Sequence, residues 1–376
     1  MIRELHIVCL DVPWPPDYGG AIDMMNRIKA FKKAGINIHL HYFSYNRRGT
    51  PGELKPYCES IHVYRRKKGL KGLSFRLPYI VASRINKELI DNLNKDELPI
   101  LLEGLHCTGI LPYIDYKRRK VVVRMHNEES LYYQELARAE KSWFRKLFFK
   151  RESRLIKSYN NRLPSECTYT CVSEEDVAIL KNRWKLINAV FIPTFPAWQQ
   201  VTVSAGTGKF CLYHGNLSVA ENEEAAVWLL EKVCPKIEIP FFIAGKNPSP
   251  RIEKLSSSLK HVVIVPNPSG DEMDRLVREA HICVLPSFNC TITGIRLKLL
   301  HSLFEGRHCI VSEAMVKGTG LEKTCHVAKD ESEFISLIKT LFGLSFTEDD
   351  IQLRKELLGD TYNNDKNTNL FSQYLW

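Results

Sequence analysis

Residues 283–322, CVLPSFNCTITGIRLKLLHSLFEGRHCIVSEAMVKGTGLE, decide the fold. Ile282 to Leu285 is an apolar run short enough for a buried strand, and Pro286 and Ser287 break it. A polar loop follows, with Gly294 just before a helical pattern. Leu297, Leu300 and Phe304 recur at spacings of three and four and make one apolar stripe. Gly306 ends that helix, and Cys309 to Val311 reads as the next buried strand. Strand, loop, helix, strand is a βαβ unit, which belongs to a parallel sheet.

The chemistry of such a unit sits at the loop. The first amides of a helix have no intrahelical partner, and the macrodipole places partial positive charge there. A glycine at that point lets an anion reach the backbone, so the start of this helix suits a phosphate. Lys298 lies one turn on, and His301 three residues beyond it on the same face. The same residues also read as an ordinary glycine-started helix with a solvated lysine.

Working outward, the pattern repeats. Ile7 to Leu10 is an apolar run that ends in a Pro/Gly loop, and Gly19-Gly20 precede a helix with Met24, Met25, Ile28 and Phe31 on one face. The glycine pair fits an anion loop or a tight turn. Ile36 to Phe43, Ile100 to Leu102, Val121 to Val123 and Tyr169 to Val172 read as further strands of the first half. The third of these runs into Arg124-Met125-His126, which puts His126 at a strand's carboxyl end, where open α/β sheets bind ligands. Ile192 to Gly208 reads as a linker. Beyond it, Phe210 to Tyr213 with Gly215, Phe241 to Ala244 with Gly245, and Val262 to Val265 repeat the strand–loop pattern. The alternation of β and α predicts two doubly wound parallel-sheet domains, 1–200 and 206–355, in an α/β fold.

At 376 residues the chain has material for two cores, and it contains no run long enough for a transmembrane helix. Its 11 cysteines lack metal-like or framework spacing and read as buried thiols of a reducing, cytoplasmic compartment. The net charge of +10 favours anionic partners. Residues 61–76, 117–120 and 141–157 are basic, and the last forms an amphipathic helix that suits an anionic membrane or a core-facing position equally. None of these runs carries a nucleic-acid-binding module.

Side by side, the pieces resemble the GT-B glycosyltransferases, specifically the retaining family 4 group of bacterial sugar transferases. PPDYGG (15–20) matches the loop after the first strand, RMHNEESLYYQEL (124–136) the His-Asn-hydrophobic-Glu segment, and CVSEED (171–176) the Val-Ser-x-x-Asp segment. YHGNLSVAENEEAAVWLLEKVCP (213–235), FFIAGKNPS (241–249) and TGIRLKLLHSLFEGRHCIVS (293–312) follow in the second half. The likeness covers nearly the whole chain. It implies two Rossmann-like domains facing a cleft, with a last helix, about 358–376, packing back on the first domain.

The resemblance also implies the activity: transfer of a sugar from a nucleoside diphosphate-sugar to a glycan or lipid-linked acceptor in surface polysaccharide biosynthesis. No cofactor or metal is expected, since no Asp-x-Asp is present. Donor contacts are expected from Gly19, Gly20, Gly215, Asn216, Gly245, Thr293, Gly294, Ile295, Arg296 and His301, with His126 and Lys298 at the chemistry. The family's two glutamates are replaced by Thr293 and His301, and the Arg and Lys that many members carry after the Gly215 loop are replaced by Asn216 and Leu217. A degenerate protein that holds a nucleotide-sugar without turnover is therefore the alternative. In the ribose-gripping place, His301 predicts weaker donor binding as it protonates. Peripheral contact with the inner face of an anionic membrane, through the basic stretches, is the expected location.

Overall fold

The computed structural model of the protein describes residues 2–44, 51–288 and 296–376. Within them the chain forms two units. One comprises the residues up to Ala197 together with Tyr362–Trp376, and the other runs from Trp198 to Thr361.

The first unit is built on β1 (Arg3–Cys9), β2 (Ile36–Ser44), β3 (Ser60–Arg65), β4 (Ile100–Glu103), β5 (Val121–Met125), β6 (Thr168–Cys171) and β7 (Ala189–Phe191), in the spatial order β3-β2-β1-β4-β5-β6-β7. Every pairing is parallel. β4 and β5 are buried along their whole length, as strands covered on both faces must be. The helix Gly19–Lys33 lays Met24, Met25, Ile28 and Phe31 on the sheet. The strand order reverses between β1 and β4, so the carboxyl ends of those two strands flank a switch-point crevice.

The second unit repeats the plan with β8 (Cys211–Asn216), β9 (Phe241–Lys246), β10 (Val262–Pro266), β11 (Ile282–Leu285), β12 (His308–Ser312) and β13 (His326–Ala328), in the order β10-β9-β8-β11-β12-β13. Here the switch point lies between β8 and β11. The helix Leu297–Glu305 buries Leu299, Leu300, Leu303 and Phe304 and leads from β11 to β12. Two parallel-sheet α/β domains, as the alternation predicted, are thus the architecture.

Three features differ from the sequence reading. β3, β7 and β13 give little apolar signal because β3 and β13 are edge strands and partly exposed, and β7 is an edge strand of three residues. The stretch after Ile192 is not a solvated linker through Pro196. Thr194 and Phe195 are buried, and the Thr194 hydroxyl and Phe195 N–H both donate to Asp23. The C-terminal region is two helices, Glu348–Thr361 in the second unit and Asn364–Leu375 in the first. Phe371 of the latter meets the rings of Phe31 and Phe195 edge-on or tilted, with centroids 5.7 and 5.9 Å away.

Candidate functional site

In the first unit the switch point holds a buried charge cluster. Asp23 stands one turn into the helix that Gly19 and Gly20 begin, and that helix start has no side-chain cap. Asp23 accepts from Arg27 Nη1 (2.9 Å), Thr194 Oγ1 (2.9 Å) and Phe195 N (2.7 Å), with Arg124 Nε at 3.4 Å. Glu103 closes β4 and accepts from Arg27 Nε at 3.0 Å. His126 Nε2 lies 3.1 Å from Glu103 Oε2, and its Nδ1 lies 3.7 Å from Asp23 Oδ2. Arg124 also donates to the carbonyls of Ile192 and Pro193.

Two carboxylates and two guanidinium groups therefore balance beneath one imidazole. Burial alone would raise the Asp23 carboxyl. Arg27 and Arg124 overturn that and hold it far below its usual range. The same contest leaves Glu103 depressed, with Arg27 and His126 outweighing burial. Gly104, at φ +80°, follows Glu103. A Cβ there would lie 3.0 Å from His106 Nδ1 and 3.6 Å from His126 Cδ2, so the bare backbone lets both rings crowd the strand end. Burial pushes the His106 imidazole well down, and its Nδ1 is buried with no hydrogen-bond partner among the described residues. Glu129 is pushed up to about 8, by burial first and by Glu128 second.

In the second unit the expected residues divide by role. A Cβ on Gly245 would fall onto the Gly215 carbonyl oxygen, so this glycine is required by the close approach of β9 to β8. Asn216 ends β8, and its carbonyl accepts from Asn222 Nδ2 at 2.9 Å. Asn222 Oδ1 in turn accepts from Lys298 Nζ at 2.8 Å, and Lys298 also donates to Tyr213 Oη at 3.3 Å. Burial pushes the Lys298 ammonium down to about 8, against some help from Glu221. Lys298 is thus not a solvated surface lysine. Arg296 caps the helix start without a side-chain bond to it and is drawn to Glu221 Oε1 (3.0 Å) and the Ala314 carbonyl (2.9 Å). Ser287 Oγ donates to the same Glu221 oxygen. Thr293, Gly294 and Ile295 lie outside the described residues.

His301 stands where the resemblance expects a ribose contact. It is on the same helix as Lys298 but faces elsewhere: its Nε2 lies 3.0 Å from Asp274 Oδ1 and 3.4 Å from Glu305 Oε2, and its ring stacks on Trp198 at 4.2 Å. Burial would lower its pKa, but Asp274 and Glu305 outweigh burial and raise it. A ring nitrogen directed at two carboxylates offers no acceptor to a ribose hydroxyl on that side.

Each unit thus contains a carboxylate–carboxylate–histidine triad whose ligand atoms lie within 4.8 Å of one another: Asp23, Glu103 and His126, and Asp274, His301 and Glu305. Sequence spacing gave no hint of either. Arginine already neutralises each, with Arg27 bridging the first and Arg278 Nη1 3.1 Å from Glu305 in the second. Asp23, Arg27, Glu103, Asp274 and Trp198 are the residues that sequence reasoning missed. Only the i,i+4 spacing of Asp23 and Arg27 was a local signal.

Residues 208–343, which carry the second switch point, match the family described as Glycosyl transferases group 1. An uncharacterised 44.6 kDa protein of the cps region of Klebsiella pneumoniae is 23% identical over 369 residues, covering 91% of this chain and 93% of that one. Among solved structures, TarM of S. aureus, crystallised as a mutant with fondaparinux, alpha-GlcNAc-glycerol and UDP, superposes with a TM-score of 0.66 at 12% identity, over 99% of both chains. WaaG, a glycosyltransferase involved in lipopolysaccharide biosynthesis, does so with a TM-score of 0.65 at 9% identity, again over 99% of both. The chain carries the GT-B fold of the glycosyltransferases, with its second domain matching their group 1.

Proposed function

We propose that this protein is a retaining hexosyltransferase of the family 4 type, moving a sugar from a nucleoside diphosphate-sugar to a glycan or lipid-linked acceptor during assembly of a surface polysaccharide. One observation carries the reading. At the second switch point Lys298 brings a largely desolvated ammonium beside the uncapped start of the Leu297–Glu305 helix. Fixed positive charge at a helix start beside a strand's carboxyl end suits a diphosphate, first as substrate and then as leaving group. The match to group 1 transferases over this segment, and the cps-region relative, support the same reading.

In this mechanism the donor's diphosphate lies against the helix start and Lys298. As the sugar–oxygen bond breaks, charge builds on the β-phosphate, where that ammonium and the positive end of the helix dipole stabilise it. The acceptor hydroxyl attacks from the face that the phosphate leaves, and a phosphate oxygen takes its proton. His126, fixed by Glu103 and Asp23, contacts sugar or acceptor hydroxyls and is not a nucleophile. Arginine already supplies the counter-charge in both carboxylate–histidine triads, so the proposed reaction runs without a divalent ion.

Thermal-shift screening of nucleoside diphosphates and their sugars tests the donor site, because a ligand of the native state raises the midpoint. Activity on a stabilising donor, with or without acceptor, should then survive EDTA. Loss in EDTA restored by Mn²⁺ would refute metal independence. The replaced glutamates at Thr293 and His301 favour a second reading, a binding protein without turnover. Stabilisation by donors with neither hydrolysis nor transfer would decide for it.

A further inference from the structure

Three cysteines line up across the second sheet, and the transferase reading uses none of them. Cys283 and Cys309 are paired in register on β11 and β12. Ile310 pairs with His326, so Cys325, one residue earlier, stands opposite Cys309. The Cys309 and Cys325 thiols share a hydrogen bond, and Thr324 Oγ1 lies 3.8 Å from Cys325 Sγ. Cys309 is wholly buried, whereas Cys325, just ahead of the edge strand β13, is partly exposed.

A buried guanidinium acts on this row. Arg354, in the helix Glu348–Thr361, is 2% exposed. Its Nη1 donates to the carbonyls of Leu303 (3.2 Å) and Gly306, its Nη2 donates to the carbonyl of Arg307, and it stands 4.6 Å from the centre of the Phe346 ring. Among the described residues no carboxylate comes within ion-pair distance of it. Asp350, one turn earlier on the same helix, is taken up by the N–H and hydroxyl of Thr347. A buried cation without a counter-charge is costly. The groups that Arg354 feels most strongly are Cys309, Cys325 and Cys283, in that order, so a thiolate on the Cys309–Cys325 pair supplies the missing charge.

That charge settles on Cys325. The hydrogen bond from Cys309, helped by Thr324 and Arg354, outweighs burial and the Glu322 carboxylate and lowers the Cys325 thiol. Cys309, as the donor, is raised by the same bond and by burial. The other described thiols are all raised by burial. Cys58, which is also partly exposed, is pushed up to about 12, and Cys283 to about 11. His308 and His326, each next in sequence to one of the pair, alternate onto the other face of the sheet and meet each other there at 5.5 Å. A thiolate with an outlet to solvent and a second sulfur in contact is the arrangement that oxidants select.

We propose that Cys325 and Cys309 are an oxidative modification site, in which hydrogen peroxide oxidises Cys325 and Cys309 then closes a disulfide with it. The Cys325 sulfur attacks one peroxide oxygen, the O–O bond breaks, and the departing hydroxide takes the Cys309 proton and leaves as water. The Cys309 sulfur then attacks the sulfenic sulfur of Cys325. The S–S bond forms, the S–O bond breaks, and the second hydroxide takes a proton from solvent. Two sulfurs lose one electron each, and one peroxide becomes two waters. The site requires neither donor nor acceptor, so it stands or falls separately from the transferase reading.

The test is peptide mass spectrometry of the full, folded chain after iodoacetamide and, separately, after hydrogen peroxide. From pH 8.5 to 6.5 the labelling rate of an ordinary thiol falls about fiftyfold. That of Cys325 should fall less than about tenfold, and Cys325 should label ahead of the other described thiols. Peroxide should produce a Cys309–Cys325 disulfide that dithiothreitol reverses. Cys309→Ser keeps a hydroxyl donor beside Cys325. It should therefore keep the labelling profile while accumulating a sulfenic acid at Cys325 that dimedone traps. Cys325→Ser should leave Cys309 inert to both reagents. A fiftyfold fall in the Cys325 rate, no labelling of Cys325 in the folded chain, or peroxide treatment that leaves both thiols intact would overturn the proposal. So would a persistent sulfenic acid in the wild type or a disulfide through another cysteine, since either would remove Cys309 from its role.

Discussion

Replacing Lys298 by Met should move stability and ligand affinity in opposite directions. Displacement of the ammonium from 10.5 to about 8 penalises its charged form by about 3 kcal/mol. The side chain keeps some opening to solvent, which lowers the working figure to about 2 kcal/mol. At pH 7 the group remains charged, so the native state carries that cost. Met removes it, fills similar volume, and gives up the bonds to Asn222 and Tyr213, together about 1 kcal/mol. The unfolding midpoint of Lys298→Met should therefore hold or rise. Nucleoside diphosphate affinity should fall roughly 5- to 150-fold, as for a lost charge-assisted bond, while the bare nucleoside binds both proteins alike. The sign with pH follows from the lowered pKa. Between about 8 and 10.5 the unfolded chain binds the extra proton, so this lysine's cost to stability fades as pH rises through about 8. Diphosphate binding restores the charge, so in that range it takes up a proton, and affinity weakens as pH climbs. Calorimetry in buffers of different ionisation enthalpy reads the proton directly. A midpoint several degrees lower in Lys298→Met, with diphosphate affinity intact, would show a structural lysine with no part in phosphate binding.

Other outcomes follow from the two triads. Asp23→Asn leaves Arg27 and Arg124 short of counter-charge in the core and should cost about 3–5 kcal/mol in denaturant unfolding. Asp23 and Glu103 have depressed native pKa values, so the stability they supply is present above about pH 4 and is lost as pH falls through those lower values. In wild type the His301 pair adds stability that is complete below its unfolded pKa of 6.5 and fades as pH rises through its higher native value. His301→Phe keeps the stack on Trp198 and should flatten that part of the midpoint–pH curve. With its Nε2 turned to Asp274 and Glu305, His301 should not make donor affinity decline between pH 7.5 and 5.5 as a ribose-accepting imidazole requires.

Strands buried on both faces were legible because a parallel sheet covered by helices makes short runs such as ICVL and VVV apolar without alternation. The glycines were legible as positions but not as causes, since Gly245 proves to be fixed by the Gly215 carbonyl against which it packs. The charges were the hardest to read. Nothing in their own segments ties Asp23, Arg27, Glu103 and Arg124 to one another or to His126, and KRRK at 117–120 reads only as a basic run. Yet Arg119 within it is buried, donating to the carbonyls of Leu93 and Leu98. Local sequence shows whether an apolar residue has a helix or strand to belong to, but a charged residue is explained only by its partner. In a doubly wound sheet the strands that flank the switch point, β1 with β4 and β8 with β11, are widely separated in sequence. The crevice where ligands bind is therefore where partners are most remote along the chain. His301 illustrates the consequence: its place in the motif suggested a ribose contact, while Asp274 and Trp198, from two other segments, are what its ring meets.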